Sequence, residues 1–152
     1  MNDIEVSVVL PAYNEEDTIE RTVQVTLDTL GAFLPAGTFE VVVAEDGCDD
    51  RTPDIATRMA EEDDRVRHIH SDERLGRGGA LEYAFERAHG DTLVYFDTDL
   101  ATDMRHLEEL VESVRSGEYD IATGSRWLPE NRADRPPKRA VSSLGYNSLV
   151  RL

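Results

Sequence analysis

The chain has a single cysteine, Cys48, and a single lysine, Lys138, among 152 residues. One cysteine excludes an internal disulfide and a cysteine-based zinc site. No window reaches the roughly 18 apolar residues that span a bilayer. The opening residues "MNDIEV" hold no basic region and no apolar core, so a signal peptide is not expected. Against 16 basic residues stand 32 acidic ones, for a formal net charge of −16. That charge argues against nucleic acid, or a bare anionic membrane, as the electrostatic partner. It suits a protein working in concentrated salt, where self-repulsion is screened; an ordinary acidic protein is the plainer reading. The expected setting is the cytoplasm.

What is present is order. Val6 to Leu10 is a short apolar run stopped by Pro11, and reads as a buried strand. From Asn14 the period changes: Ile19, Val23, Leu27, Leu30 and Leu34 recur at helical spacing, with Glu15, Glu16 and Asp17 expected in the first turn. Phe39 to Ala44 is a second strand, and Thr52-Pro53 a good helix start with threonine as cap. Val66 to His70 gives a third strand. "LGRGGA" then opens a helix carrying Leu81, Ala84, Phe85 and Ala88, closed by Gly90. Thr92 to Phe96 is a fourth strand, read as buried. Met104, Leu107, Leu110, Val111 and Val114 form another helical stripe, Tyr119 to Thr123 a fifth strand, and Val141 to Val150 the start of one more helix. Strict alternation with short connections implies an α/β fold with a mostly parallel sheet covered on both faces. The last helix has no stop signal before Leu152, so residues 1–152 are expected to be one domain cut short at its C-terminus.

In such a sheet, ligands sit outside the carboxyl ends of the strands. Those ends read "PAYNEE", "EDGCDD", "DTDLA" and "GSRW", whereas the opposite ends are simple turns. The asymmetry marks a site for a polar small molecule. Asp97 and Asp99 are one residue apart on an extended segment, so they share a side, as a clamp for a hard divalent cation requires. The plainer possibility is that one acid caps the next helix and the other is solvated. A dinucleotide fold would place G-x-G-x-x-G after the first strand, where no glycine occurs, and there is no Walker A sequence. A D-x-D-x-T phosphotransferase stays open as an alternative, although Ala101 stands at its threonine position. His68 and His70 read as surface or strand-end histidines. His106, Trp127 and Cys48 carry no strong functional signal.

Four ordered segments, "VSVVLPAYNEE", "VVVAEDGCDDRT", "LGRGGALEYAFERAHGDTLVYFDTDLAT" and "DIATGSR", resemble family 2 glycosyltransferases of the GT-A fold. Within them they are most similar to the dolichyl-phosphate mannose and glucose synthases. The resemblance implies that Pro11, Ala12, Tyr13 and Glu15, with Ala44 and Asp46, hold the base and ribose of a nucleotide sugar, together with Arg77, Asp97 and Thr98. It implies that Asp97 and Asp99 bind magnesium or manganese on the diphosphate, and that Arg126 and Arg139 meet phosphate groups, so that Asp99, Arg126 and Arg139 are the catalytic set. Three positions depart from the family pattern: Glu45 replaces an aspartate, Cys48 a serine, and Arg77 a lysine.

The activity so implied is inverting, metal-dependent transfer of a hexose from GDP-mannose or UDP-glucose to dolichyl or polyprenyl phosphate. It would take place at the cytoplasmic face of the membrane, with further sequence after Leu152 supplying acceptor and membrane contacts. A metal and arginines stabilise the departing diphosphate, and a lipid phosphate attacks as an anion without a strong base. A nucleotidyl- or phosphotransferase, or a non-catalytic nucleotide-sugar sensor, would use the same residues differently.

Overall fold

Strands and helices alternate through residues 4–124, the part of the chain described by this computed structural model. In order they are β1 (Val6–Ala12), α1 (Ile19–Gly31), β2 (Phe39–Asp46), α2 (Thr52–Glu62), β3 (Val66–Ser71), α3 (Gly76–Phe85) and β4 (Thr92–Tyr95). A 3-10 turn at Met104–His106 leads into α4 (Leu107–Arg115). All ladders are parallel, in the order β3-β2-β1-β4. The expected α/β architecture is present, and residues up to Ala122 form one compact unit.

Side-chain alternation divides the sheet into two faces. Val8, Leu10, Val41 and Val43 pack with Ile19, Val23 and Leu30 of α1, Ala56 of α2, and Leu107 and Val111 of α4. Val9, Val42, Ala44 and Ile69 meet Ala84 of α3 on the other face. Each fully buried Leu, Ile or Phe contributes about 1.5–3 kcal/mol relative to exposure. Beneath α3 the sheet also buries Glu40. It accepts from the Ser7 hydroxyl (2.7 Å), the His89 N–H (2.8 Å) and Arg67 (3.2 Å). Burial alone would raise the Glu40 pKa, but these donors together hold it below the ordinary value. Gly90 donates to the Ser7 hydroxyl, and a Cβ there would lie 2.5 Å from the Ser7 nitrogen, so only glycine permits this approach.

Several boundaries differ from the sequence reading. β1 continues through Pro11 to Ala12, because β4 has ended opposite Val9 and a missing donor on that side costs no ladder bond. β2 runs on through Glu45 and Asp46, both buried and both paired. Glu15 to Asp17 form a turn before α1, whose first-turn acid is Glu20. Thr52 is not the cap: Arg51 stands at that position, Asp50 accepts from the Thr52 N–H (2.8 Å), and the Thr52 hydroxyl accepts from the Glu15 N–H (2.8 Å). α3 ends at Phe85, before Ala88 and Gly90.

The fourth strand is not buried on both faces. It forms one edge of the described sheet, and Leu93 and Tyr95 are 42% and 48% exposed. Residues 119–123 form no strand. A strand exists only through its ladder, and this segment has no partner among the described residues, with Ile121 84% exposed. The anticipated helix from Val141 to Val150 lies outside the described residues.

Candidate functional site

All four strands point their carboxyl ends to one edge, where the loops after β1 and β2 are tied together. Asn14 takes the left-handed conformation (φ 55°), which asparagine tolerates. Its side-chain oxygen accepts from the Asp49 N–H (3.0 Å), and the Glu16 N–H donates to Asp50 (3.1 Å). Pro11 pairs with Ala44 across the ladder, and Ala12 and Ala44 are both buried. These small residues form a floor rather than a set of polar contacts. Glu15 accepts from the Thr18 hydroxyl (2.7 Å) and stays half-buried.

Consecutive acids at the end of β2 go to opposite faces. Asp46 turns toward α3, where its carboxylate accepts from Arg74 (2.7 and 2.8 Å) and from the backbone N–H groups of Leu75 (2.6 Å) and Gly76 (2.8 Å). An anion against the first turn of a helix is favourable. Glu45 turns the other way, into β3. Its Oε1 meets His68 Nε2 at 2.9 Å and also His70 Nδ1, while its Oε2 is buried without a partner. The two histidines stand toward the end of β3 as expected, with His70 exposed, yet both engage a buried acid. Hydrogen bonds to Asp72 and Glu45 raise the His70 pKa above its usual value. The legible signal was the spacing: His-x-His on one strand, in register with an acid on the next.

Asp97 and Asp99 are both exposed and Thr98 between them is buried, where the chain leaves β4 and enters a turn. Thr98 is anchored from below: its carbonyl accepts from the buried Thr22 hydroxyl of α1 at 2.7 Å. Asp99 accepts from the Ala101 N–H (2.9 Å), and Leu100 takes a left-handed conformation (φ 53°). Asp97 pairs with Arg77 at 3.0 Å. Both carboxylates are exposed, and carboxylate oxygens are the hard ligands that Mg2+ or Mn2+ take. Arg77 supplies positive charge in the same corner, over the Tyr95 ring.

Arg74, which sequence reasoning did not single out, lies at the same edge between Tyr13 and Asp46. Its guanidinium lies 3.6 Å from the centre of the Tyr13 ring while Asp46 grips it from behind. Tyr13, Arg74 and Asp46 thus form one stack linking the ends of β1 and β2 to the start of α3. Only its position two residues before Gly76 hinted at this. Cys48 accepts from the Asn14 N–H (3.4 Å), and burial pushes its thiol up to about 11, so it stays protonated. Arg126, Trp127 and Arg139 lie outside the described residues.

The sequence profile described as "Glycosyl transferase family 2" matches residues 7–148. Glycosyltransferase AglD of Haloferax volcanii is 76% identical over 149 residues, which are 98% of this chain and 24% of that protein. The human dolichyl-phosphate beta-glucosyltransferase is 30% identical over 162 residues, covering 96% of this chain and 49% of that one. Among solved structures, the mannosyltransferase PcManGT from Pyrobaculum calidifontis, in complex with GDP-Man and Mn2+, aligns with a TM-score of 0.60 at 31% identity. That alignment covers 72% of this chain and 32% of that one. The chain spans about a quarter to a half of the length of these curated relatives.

Proposed function

Because the chain belongs to glycosyl transferase family 2, we propose that it forms the nucleotide-sugar-binding part of an inverting, metal-dependent hexosyltransferase acting on a polyprenyl or dolichyl phosphate. The observation that carries this reading is the pair Asp97 and Asp99, exposed together beyond β4 over a buried, anchored Thr98. A divalent ion held by those two carboxylates would neutralise the diphosphate of the donor. The chain's own residues do the rest. Tyr13, backed by Arg74 and Asp46, offers a flat polar wall for the base and ribose. Arg77, paired with Asp97, would meet the charge gathering on the departing diphosphate.

Support for the donor class comes from the relatives: PcManGT is solved with GDP-Man and Mn2+, and a glucosyl-3-phosphoglycerate synthase of Mycobacterium tuberculosis with Mn2+ and UDP. Support for the acceptor comes from the dolichyl-phosphate glucosyltransferases among them. The basic residues Arg126, Arg132, Arg135, Lys138 and Arg139, close together in an acidic chain, suit an approaching lipid phosphate. Work at the cytoplasmic membrane face follows from that acceptor. Among the described residues, no helix is long and apolar enough to cross a membrane.

The test is transfer of labelled hexose from GDP-mannose and UDP-glucose to polyprenyl phosphate by the full-length protein with Mn2+ or Mg2+. The expected result is a glycolipid product from one donor, lost in Arg139→Ala while nucleotide-diphosphate affinity changes little. Transfer of label from a parallel donor labelled in its phosphates, with no hexose transferred, would make the protein a phospho- or nucleotidyltransferase, and binding without transfer would make it a sensor.

A further inference from the structure

We propose that Glu45, His68 and His70 form a second metal site, suited to a borderline-soft divalent ion such as Zn2+ and separate from the Asp97–Asp99 corner. The β2–β3 register sets Glu45 opposite His70 and Val43 opposite His68, so all three side chains leave the sheet on the face that carries α1 and α2. One ligand atom from each lies within 4.8 Å of the other two. Two imidazoles and one carboxylate are a transition-metal donor set with room for a further ligand.

Three features favour a cation there. Glu45 is fully buried, and its Oε2 is the one buried side-chain oxygen or nitrogen without a partner among the described residues. A buried carboxylate with one idle oxygen is costly unless a positive charge takes it up. Next, the outer nitrogens are already engaged: His70 Nε2 with Asp72 (2.9 Å) and His68 Nδ1 with the Thr57 hydroxyl (3.1 Å). Outer hydrogen bonds of this kind are those that orient histidine ligands. Finally, His70 is half-exposed and His68 is not, which leaves an entry path from solvent.

The donor set differs in hardness from two exposed carboxylates, so the two sites would sort ions: imidazole nitrogen for Zn2+ or Co2+, carboxylate oxygen for Mg2+ or Mn2+. Binding would release any proton held between Glu45 and His70. The ion would clamp the end of β2 to β3 one residue before Asp46, which holds Arg74 and the start of α3. It would brace the base-binding wall without touching the sugar.

The probe is Co2+ added to the chelator-stripped full chain in excess Mg2+, read by visible absorption and by competition with Zn2+. The expected result is one equivalent of Co2+ with d–d bands, displaced by Zn2+, weakened at least tenfold in His70→Gln and His68→Gln, and unchanged in Asp97→Asn/Asp99→Asn. His70 is exposed enough that His70→Gln should fold, so it decides the matter if His68→Gln does not. Absence of saturable Co2+ binding, survival of binding in His70→Gln, or its loss in the aspartate double variant would each overturn the proposal. The first of these outcomes would leave Glu45 and His70 as a hydrogen-bonded pair.

Discussion

The hydroxyl of Thr22, in the second turn of the first helix, donates a 2.7 Å hydrogen bond to the carbonyl of Thr98, 76 residues later. Both residues are buried. The bond fixes the one inward-facing residue between Asp97 and Asp99, and so sets where both carboxylates emerge.

Thr22→Val keeps the volume and removes the donor, leaving the Thr98 carbonyl without it. The expected cost is about 1–2 kcal/mol of stability and roughly tenfold in Mn2+-dependent nucleotide affinity, about 1.4 kcal/mol. Thr26 is the control: it is buried, but its hydroxyl bonds only within its own helix, to Thr22. Thr26→Val should lower stability by a similar amount and leave affinity alone. Equal losses of affinity in both variants, by urea unfolding and calorimetry, would deny Thr22 a positioning role.

Asp99→Ala should leave the fold intact, since the side chain is exposed and makes only a local bond to Ala101. Mn2+-dependent affinity for the preferred nucleoside diphosphate should fall about 100-fold, or ~2.8 kcal/mol. Calorimetry with and without Mn2+ checks this, and an unchanged metal-dependent increment would remove Asp99 from the metal site.

Glu40 is expected to give an acid-sensitive contribution to stability. Its folded pKa lies below the ordinary 4.5, so its contribution is present in full above that value and is lost as pH falls through the lower folded value. The charged groups facing it are Arg67 and His89. Glu40→Gln should therefore cost about 2 kcal/mol near neutral pH, and the gap to the parent protein should close only below about pH 4.5. Urea titrations of both proteins across that range provide the measurement; a gap independent of pH would mean that packing, not charge, is what Glu40 supplies.

With a formal charge of −16, self-repulsion opposes the compact state wherever it is unscreened. Raising KCl from about 0.1 M to about 2 M shortens the screening length from roughly 10 Å to a few ångströms. The thermal midpoint should rise by about 5 °C or more. A flat or falling midpoint in a calorimetric series would count against adaptation to salt.

Periodicity alone determined the alternation of strands and helices, because apolar residues must reach a shared core and the spacing states which backbone geometry lets them. The same alternation predicts that Asp97 and Asp99 share a side, since extended backbone reverses side-chain direction at each residue. The family was likewise legible, carried by short motifs at strand ends. Tertiary structure decided what those motifs touch. Asp46 and Glu45 are neighbours in sequence, yet one grips Arg74 and the helix start while the other sits between two histidines of the adjacent strand. Alternation sends them to opposite faces, but the partner each meets depends on the register between β2 and β3, fixed only when both strands pair. The misread ends have the same origin. Pro11 and Glu45 fit inside strands because of what lies beside them, and residues 119–123 form no strand because pairing, unlike a helix, needs a second segment of chain.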